Sequence, residues 1–86
     1  MYNELFYRND YGTIEIQIKS IMDKKGISRN ALARKLGTRF EVINKWYSGH
    51  VEKIDADVLA RLCYVLDCTP GDIIKYKKVD ASETST

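Results

Sequence analysis

From residue 28 to residue 49 the chain reads SRNALARKLGTRFEVINKWYSG, and its apolar positions form two helical stripes separated by a glycine. Leu32, Ala33 and Leu36 recur at i, i+1 and i+4, which is one face of a helix. Ser28 stands ahead of them as an N-cap, since its hydroxyl can accept from one of the first unpaired amides. Gly37 follows where that helix must stop, because glycine takes the left-handed conformation that ends it. Thr38 is placed to cap a second helix, in which Val42, Ile43, Trp46 and Tyr47 form the apolar stripe. Arg39, Phe40, Glu41, Asn44, Lys45 and Ser48 lie mainly off that stripe, and Gly49 closes it. Two helices with so short a connection cross steeply, and the small Ala33 suits a close crossing. This is the pattern of a helix-turn-helix over residues 29–49.

The flanks predict three more helices. Ile14, Ile18, Ile21 and Met22 follow a helical stripe that Thr13 could cap and Gly26 would end, with Lys24 and Lys25 in its last turn. Ile14, Ile16 and Ile18 also alternate, so the start of this segment fits an extended conformation equally well. Asp55 reads as the cap of DVLARLCYVLD, whose Val58, Leu59, Leu62, Cys63 and Leu66 form a broad apolar face. Thr69 and Pro70 open a short fifth helix that includes Gly71, Asp72, Ile73 and Ile74. The expected core is Ile18, Ile21, Leu32, Ala33, Leu36, Ile43, Trp46, Leu59, Leu62, Leu66 and Ile73. Residues 1–12, with Leu5 and Tyr7 alternating among polar neighbours, predict an arm or short strand. Its partner would be YKKV near the C-terminus or a second subunit. ASETST at the end is a small polar tail. The organisation expected is therefore an arm over residues 1–12, a helical domain over 13–76 and a strand end with tail over 77–86.

Leu32-Ala33, Gly37, Ile43, Trp46 and Gly49 together resemble the helix-turn-helix of the lambda-repressor and Cro superfamily, also called the xenobiotic-response-element family. The resemblance runs over roughly residues 16 to 76 and takes in IKSIMDKKGIS before the motif and DVLARLCYVLDCTPGDII behind it. It implies an all-α fold, a compact five-helix lambda-repressor-like domain with room for short terminal β-strands. It also implies a sequence-specific DNA-binding regulator, most often a repressor, whose second motif helix, about residues 39–48, enters the major groove. The partner implied is double-stranded DNA, met by a homodimer on a palindromic site. Arg29 stands where the family usually has glutamine, and Phe40 and Glu41 stand where it often has small or polar base-reading residues. The alternative is a helical protein–protein interaction module, or a toxin–antitoxin partner, that keeps the same fold.

Carried over by position, the residues expected to contact bases are Arg39, Phe40, Glu41 and Asn44. Arg39 suits guanine O6 and N7, Phe40 a thymine methyl, Glu41 either cytosine N4 or repulsion of phosphate, and Asn44 either adenine or, being a turn further in, phosphate. Glu41 has an equally good structural role, since an acid in a first helical turn complements the helix dipole. The residues expected at the DNA backbone are Ser28, Arg29, Lys45, Ser48, His50 and Lys53.

Charge supports this picture by its distribution rather than its total. The 86-residue chain carries a net +2, yet residues 24–53 hold eight cations against Glu41 and Glu52, a net of +6 that leaves −4 elsewhere. One histidine and two cysteines cannot complete a zinc site of Cys and His ligands, and no metal is expected. Cys63 and Cys68, five apart, would lie on different faces of one helix and are expected as buried, reduced thiols. No phosphate-cradling glycine loop or nucleophile-and-base signature is present, so neither an enzyme nor a cofactor or small-molecule ligand is expected. No apolar run approaches the ~20 residues of a membrane helix. MYNELFYRND lacks the basic start and apolar block of a signal peptide, which makes a cytoplasmic location the expectation.

Overall fold

The structure is a computed structural model, and it describes residues 11–78. Those residues form strand β1 (Thr13–Ile16), helices α1 (Ile18–Lys25), α2 (Arg29–Leu36), α3 (Phe40–Ser48), α4 (Ala56–Leu66) and α5 (Pro70–Ile73), and strand β2 (Ile74–Lys77). Of the arm or strand expected over residues 1–12, residues 1–10 lie outside the described residues, and so does the tail ASETST.

Local chemistry sets the helix ends. The Ser28 hydroxyl accepts from the Ala31 amide at 3.1 Å and starts α2. Asp55 starts α4 by accepting from the amides of Asp57 and Val58 at 2.8 and 3.3 Å. Gly26, Gly37 and Gly49 end α1, α2 and α3 in the left-handed region. Asp67 ends α4 there too, at φ 53°, as the one non-glycine residue with positive φ among those described. The Thr69 amide and hydroxyl both donate to Asp72 Oδ2, at 2.9 and 3.1 Å, and fix the first turn of α5.

Thr13 does not cap α1. It opens β1, and Gln17 takes the cap position without a side-chain bond. The strand that pairs near the C-terminus is thus 13–16, with Ile14 opposite Tyr76 and Ile16 opposite Ile74 in an antiparallel register. β2 also begins two residues before the expected YKKV, so Ile74 belongs to the strand rather than to α5. The cause is pairing across the chain. A segment that fits both periods becomes extended when a partner strand can satisfy its amides. Gly12 makes the entry to this pair possible. It sits at φ +90°, and a Cβ there would collide with the Lys77 carbonyl oxygen.

The core is one cluster: Ile18, Met22, Leu32, Ala33, Leu36, Ile43, Trp46, Leu62, Leu66 and Ile73. Ile21 and Leu59, expected inside, pack at its margin, while Met22 is fully buried. α2 packs against both α3 and α4, and α1 packs against α3. Cys63 and Cys68 are free thiols, half-buried rather than buried, and Cys68 lies beyond the end of α4 instead of on it. The chain reverses at Asp67, so the Cys68 amide donates to the Cys63 carbonyl at 3.0 Å. Burial, with Cys63 close by, pushes the Cys68 thiol above its ordinary value.

Asp72 has a pH signature. The Thr69 amide, then its hydroxyl, hold the Asp72 carboxyl below its ordinary value of 3.8. A carboxylate with a depressed folded pKa contributes stability above its unfolded pKa, and loses it as pH falls through the folded value. The urea midpoint is therefore expected to drop more steeply below about pH 4 in the wild type than in Asp72→Asn. Equal pH slopes for the two proteins would remove Asp72 as a source of acid sensitivity.

Candidate nucleic-acid interface

α3 carries its side chains in three stripes. Ile43 and Trp46 are buried, with Val42 half-buried beside them. Glu41, Lys45 and Ser48, at i, i+4 and i+7, are all exposed and form the outward stripe. Phe40, Asn44 and Tyr47, at the same spacing, form a third stripe that meets the start of α2. Of these Phe40 is 39% exposed, while Asn44 and Tyr47 are half-buried.

Arg39 is the cap residue of α3, in extended backbone at φ −76° and ψ 152°. The expected cap, Thr38, instead donates its hydroxyl to the Arg39 carbonyl at 3.2 Å. Arg39 is exposed, and so are Lys45 and Lys53. The ion pairs among the described residues are Lys19–Asp23, Arg61–Asp57 and Lys77–Glu15, so none of these three cations is neutralised by one. Glu41 lies in the first turn of α3, where an acid complements the helix dipole.

Arg29, expected at the DNA backbone, lies within the same constellation as the residues expected at bases. Its Nη1 donates to Asn44 Oδ1 at 2.7 Å. Its guanidinium lies 4.7 Å from the centre of the Tyr47 ring and 5.6 Å from that of Phe40. One side chain at the start of α2 therefore ties down three residues of α3. Ser28, next to it, is exposed but has its hydroxyl engaged as the α2 cap.

The remaining expected backbone contacts gather at the other end of α3. Ser48 and His50 are exposed, and the His50 amide donates to the Lys45 carbonyl at 2.9 Å. Lys45, His50 and Lys53 line an open cleft of about 550 Å³ floored by Val42, Trp46 and Val51.

Two positioning residues escaped the sequence reading. Tyr47 was legible only as part of an apolar stripe, although its spacing from Phe40 and Asn44 puts it on their side. Arg61 gave no signal at all. Its Nη1 donates to the Leu36 carbonyl at 2.7 Å, and its Nε pairs with Asp57 at 2.9 Å. A cation on an unpaired carbonyl at the end of α2 complements the dipole and fixes α2 against α4.

Among the described residues no group of His, Cys, Asp and Glu is placed to hold a metal ion. No helix among them is long and apolar enough to cross a membrane.

The fold is shared with solved structures of low sequence identity. A protein from Bacteroides fragilis, described as a candidate DNA-binding protein, superposes with a TM-score of 0.65 at 22% identity, over 73% of this chain and 100% of that one. The transcriptional regulator VanUg superposes with a TM-score of 0.65 at 18% identity, over 90% of this chain and 99% of that one. No curated protein matches the sequence. The model of the Cro/C1-type helix-turn-helix DNA-binding domain matches residues 17–78, from the cap of α1 to the end of the described chain. With that match spanning most of the chain, this protein belongs to the Cro/C1-type helix-turn-helix family of DNA-binding domains.

Proposed function

We propose that the protein is a repressor that seats α3 in the major groove, with Arg39, Phe40, Glu41 and Asn44 at base edges. Ser28, Arg29, Lys45, Ser48, His50 and Lys53 would then lie along the phosphates. The observation that carries this reading is the exposed end of α3. There Arg39 and Lys45 are exposed and form no ion pair among the described residues, on a helix whose other face is locked into the core. Exposed cations on such a face favour an anionic partner. The unit is then residues 13–76, with the flanking segments as accessories, working in the cytoplasm where the chromosome lies.

Repression on a palindromic operator calls for a homodimer with its two α3 helices ~34 Å apart. The exposed Ile14–Tyr76 pair on the two-stranded sheet supports a second copy as the partner on that side. Sedimentation of the protein alone and on duplex DNA tests this, and a monomer in both cases would sink the dimer.

Titration of duplex DNA at several salt concentrations tests the central reading. Binding is expected to weaken linearly in log–log form, with a slope of about −0.9 for each phosphate neutralised. The Lys45→Ala variant should lower that slope by about 1. Binding that ignored salt would favour a protein partner instead, for which the exposed Phe40 would be the anchor.

A further inference from the structure

Among the described residues, four helices end in the same way. An amide beyond the helix donates to a carbonyl five residues back: Ile27 to Met22 at 3.0 Å, Thr38 to Ala33 at 3.0 Å, His50 to Lys45 at 2.9 Å and Cys68 to Cys63 at 3.0 Å. Such a reversal brings the two residues it joins together, and a contact between their side chains commonly accompanies it. At the end of α4 both residues are cysteines. They are free and half-buried, and both pack against the margin of the core. The 3.0 Å backbone bond holds their Cα atoms at about 6 Å, inside the ~4.4–6.8 Å that a disulfide spans. After burial, Cys63 is the largest influence on the Cys68 thiol, ahead of Asp72 on α5 and Lys25 at the end of α1. Charge acts most strongly at short range, and this order fits two thiols side by side.

We propose that Cys63 and Cys68 form a dithiol site for two-electron oxidation by small disulfides such as glutathione disulfide, closing a ring over the turn at Asp67. The site belongs to the scaffold and does not rest on how α3 meets DNA. The exchange takes two displacements. The thiolate of one cysteine attacks a sulfur of the oxidant; a protein–oxidant S–S bond forms, the oxidant's own S–S bond breaks, and one thiolate leaves. The thiolate of the other cysteine then attacks the protein-side sulfur of this mixed disulfide. The Cys63–Cys68 bond forms and the second thiolate leaves. The protein gives up two electrons and two protons, and the oxidant departs as two thiols. Burial, Cys63 and Asp72 oppose ionisation of Cys68, while Lys25 favours it, and the balance keeps its thiolate scarce at neutral pH. Oxidation is therefore slow there and accelerates as pH rises.

The test equilibrates the full chain in mixtures of reduced and oxidised glutathione, once folded in buffer and once unfolded in urea, and reads mass and peptide map. In the folded wild type a Cys63–Cys68 disulfide within one chain is expected, with the mass lower by two hydrogens and no titratable thiol left. Its equilibrium constant should exceed that in urea by about tenfold, or about 30 mV in potential, because the turn already holds the sulfurs together. By the same linkage the oxidised protein should unfold at a higher urea concentration than the reduced one. Cys63→Ser and Cys68→Ser, shown to be folded by circular dichroism, should each stop at a mixed disulfide with glutathione. A folded wild type that keeps both thiols, or that stops at the mixed disulfide, would overturn the proposal. So would links formed only between chains, or a bond formed no more readily in buffer than in urea.

Discussion

Trp46→Ala is expected to bring the domain close to its unfolding midpoint at ambient temperature. Trp46 is 3% exposed and sits in the single core cluster, on the buried stripe of α3. Truncating a buried tryptophan costs about 3–5 kcal/mol in lost transfer energy and residual cavity. A domain of this size has few residues over which to spread that loss, and its total stability sits near the low end of ~5–15 kcal/mol. Urea unfolding followed by circular dichroism should show no folded baseline, and DNA binding should disappear because α3 has lost its seat. A Trp46→Ala protein with a normal midpoint would mean that the α3 interface contributes little to the core.

Arg39→Ala is expected to separate binding from folding. Its backbone caps α3, but its side chain makes no cap bond, so the folded state loses little. Removing a bidentate arginine contact to guanine should lower specific affinity by ~1–3 kcal/mol and relax one base position, while weakening non-specific binding far less. The measurement is affinity for a selected duplex and for an unrelated one, together with the sequence selected by the variant. An unchanged selected sequence would take Arg39 out of the readout and leave it as a phosphate contact.

The two experiments bracket the design of the motif. One face of α3 is packed against α1 and α2, and the stripe of Glu41, Lys45 and Ser48 meets solvent with no ion pair among the described residues. Between them lies the stripe of Phe40, Asn44 and Tyr47, held from the side by Arg29. Specificity in such a motif depends on the direction of a few polar atoms. The groups that set those directions matter as much as the groups that touch the base.

The helices of the motif were legible because their signals are local. Ser28, Gly37, Gly49 and Asp55 each act within four residues of themselves, through a cap hydroxyl or carboxylate or a left-handed turn. The first strand was harder. Ile14, Ile16 and Ile18 satisfy a period of two, while Ile14, Ile18, Ile21 and Met22 satisfy a helical one. The choice between them was made by β2, about sixty residues further on. The cysteines show the same limit. Their spacing within a straight helix puts them on different faces, but α4 ends at Asp67 and the chain folds back on itself.

The amino-acid sequence by itself determined the five helices, the helix-turn-helix and the identity of most buried residues, since periodicity and caps depend on neighbours within a turn or two. It also placed the positive charge on the motif. Only the tertiary structure decided which polar atoms remain free to act. The Arg61 bond to the Leu36 carbonyl, the pairing of 13–16 with 74–77, and the Arg29 bond to Asn44 all join residues far apart along the chain. Distances of this kind follow from how helices cross and not from how residues are spaced. The start of α2 therefore lies on the flank of α3, and Asn44 Oδ1 accepts from Arg29.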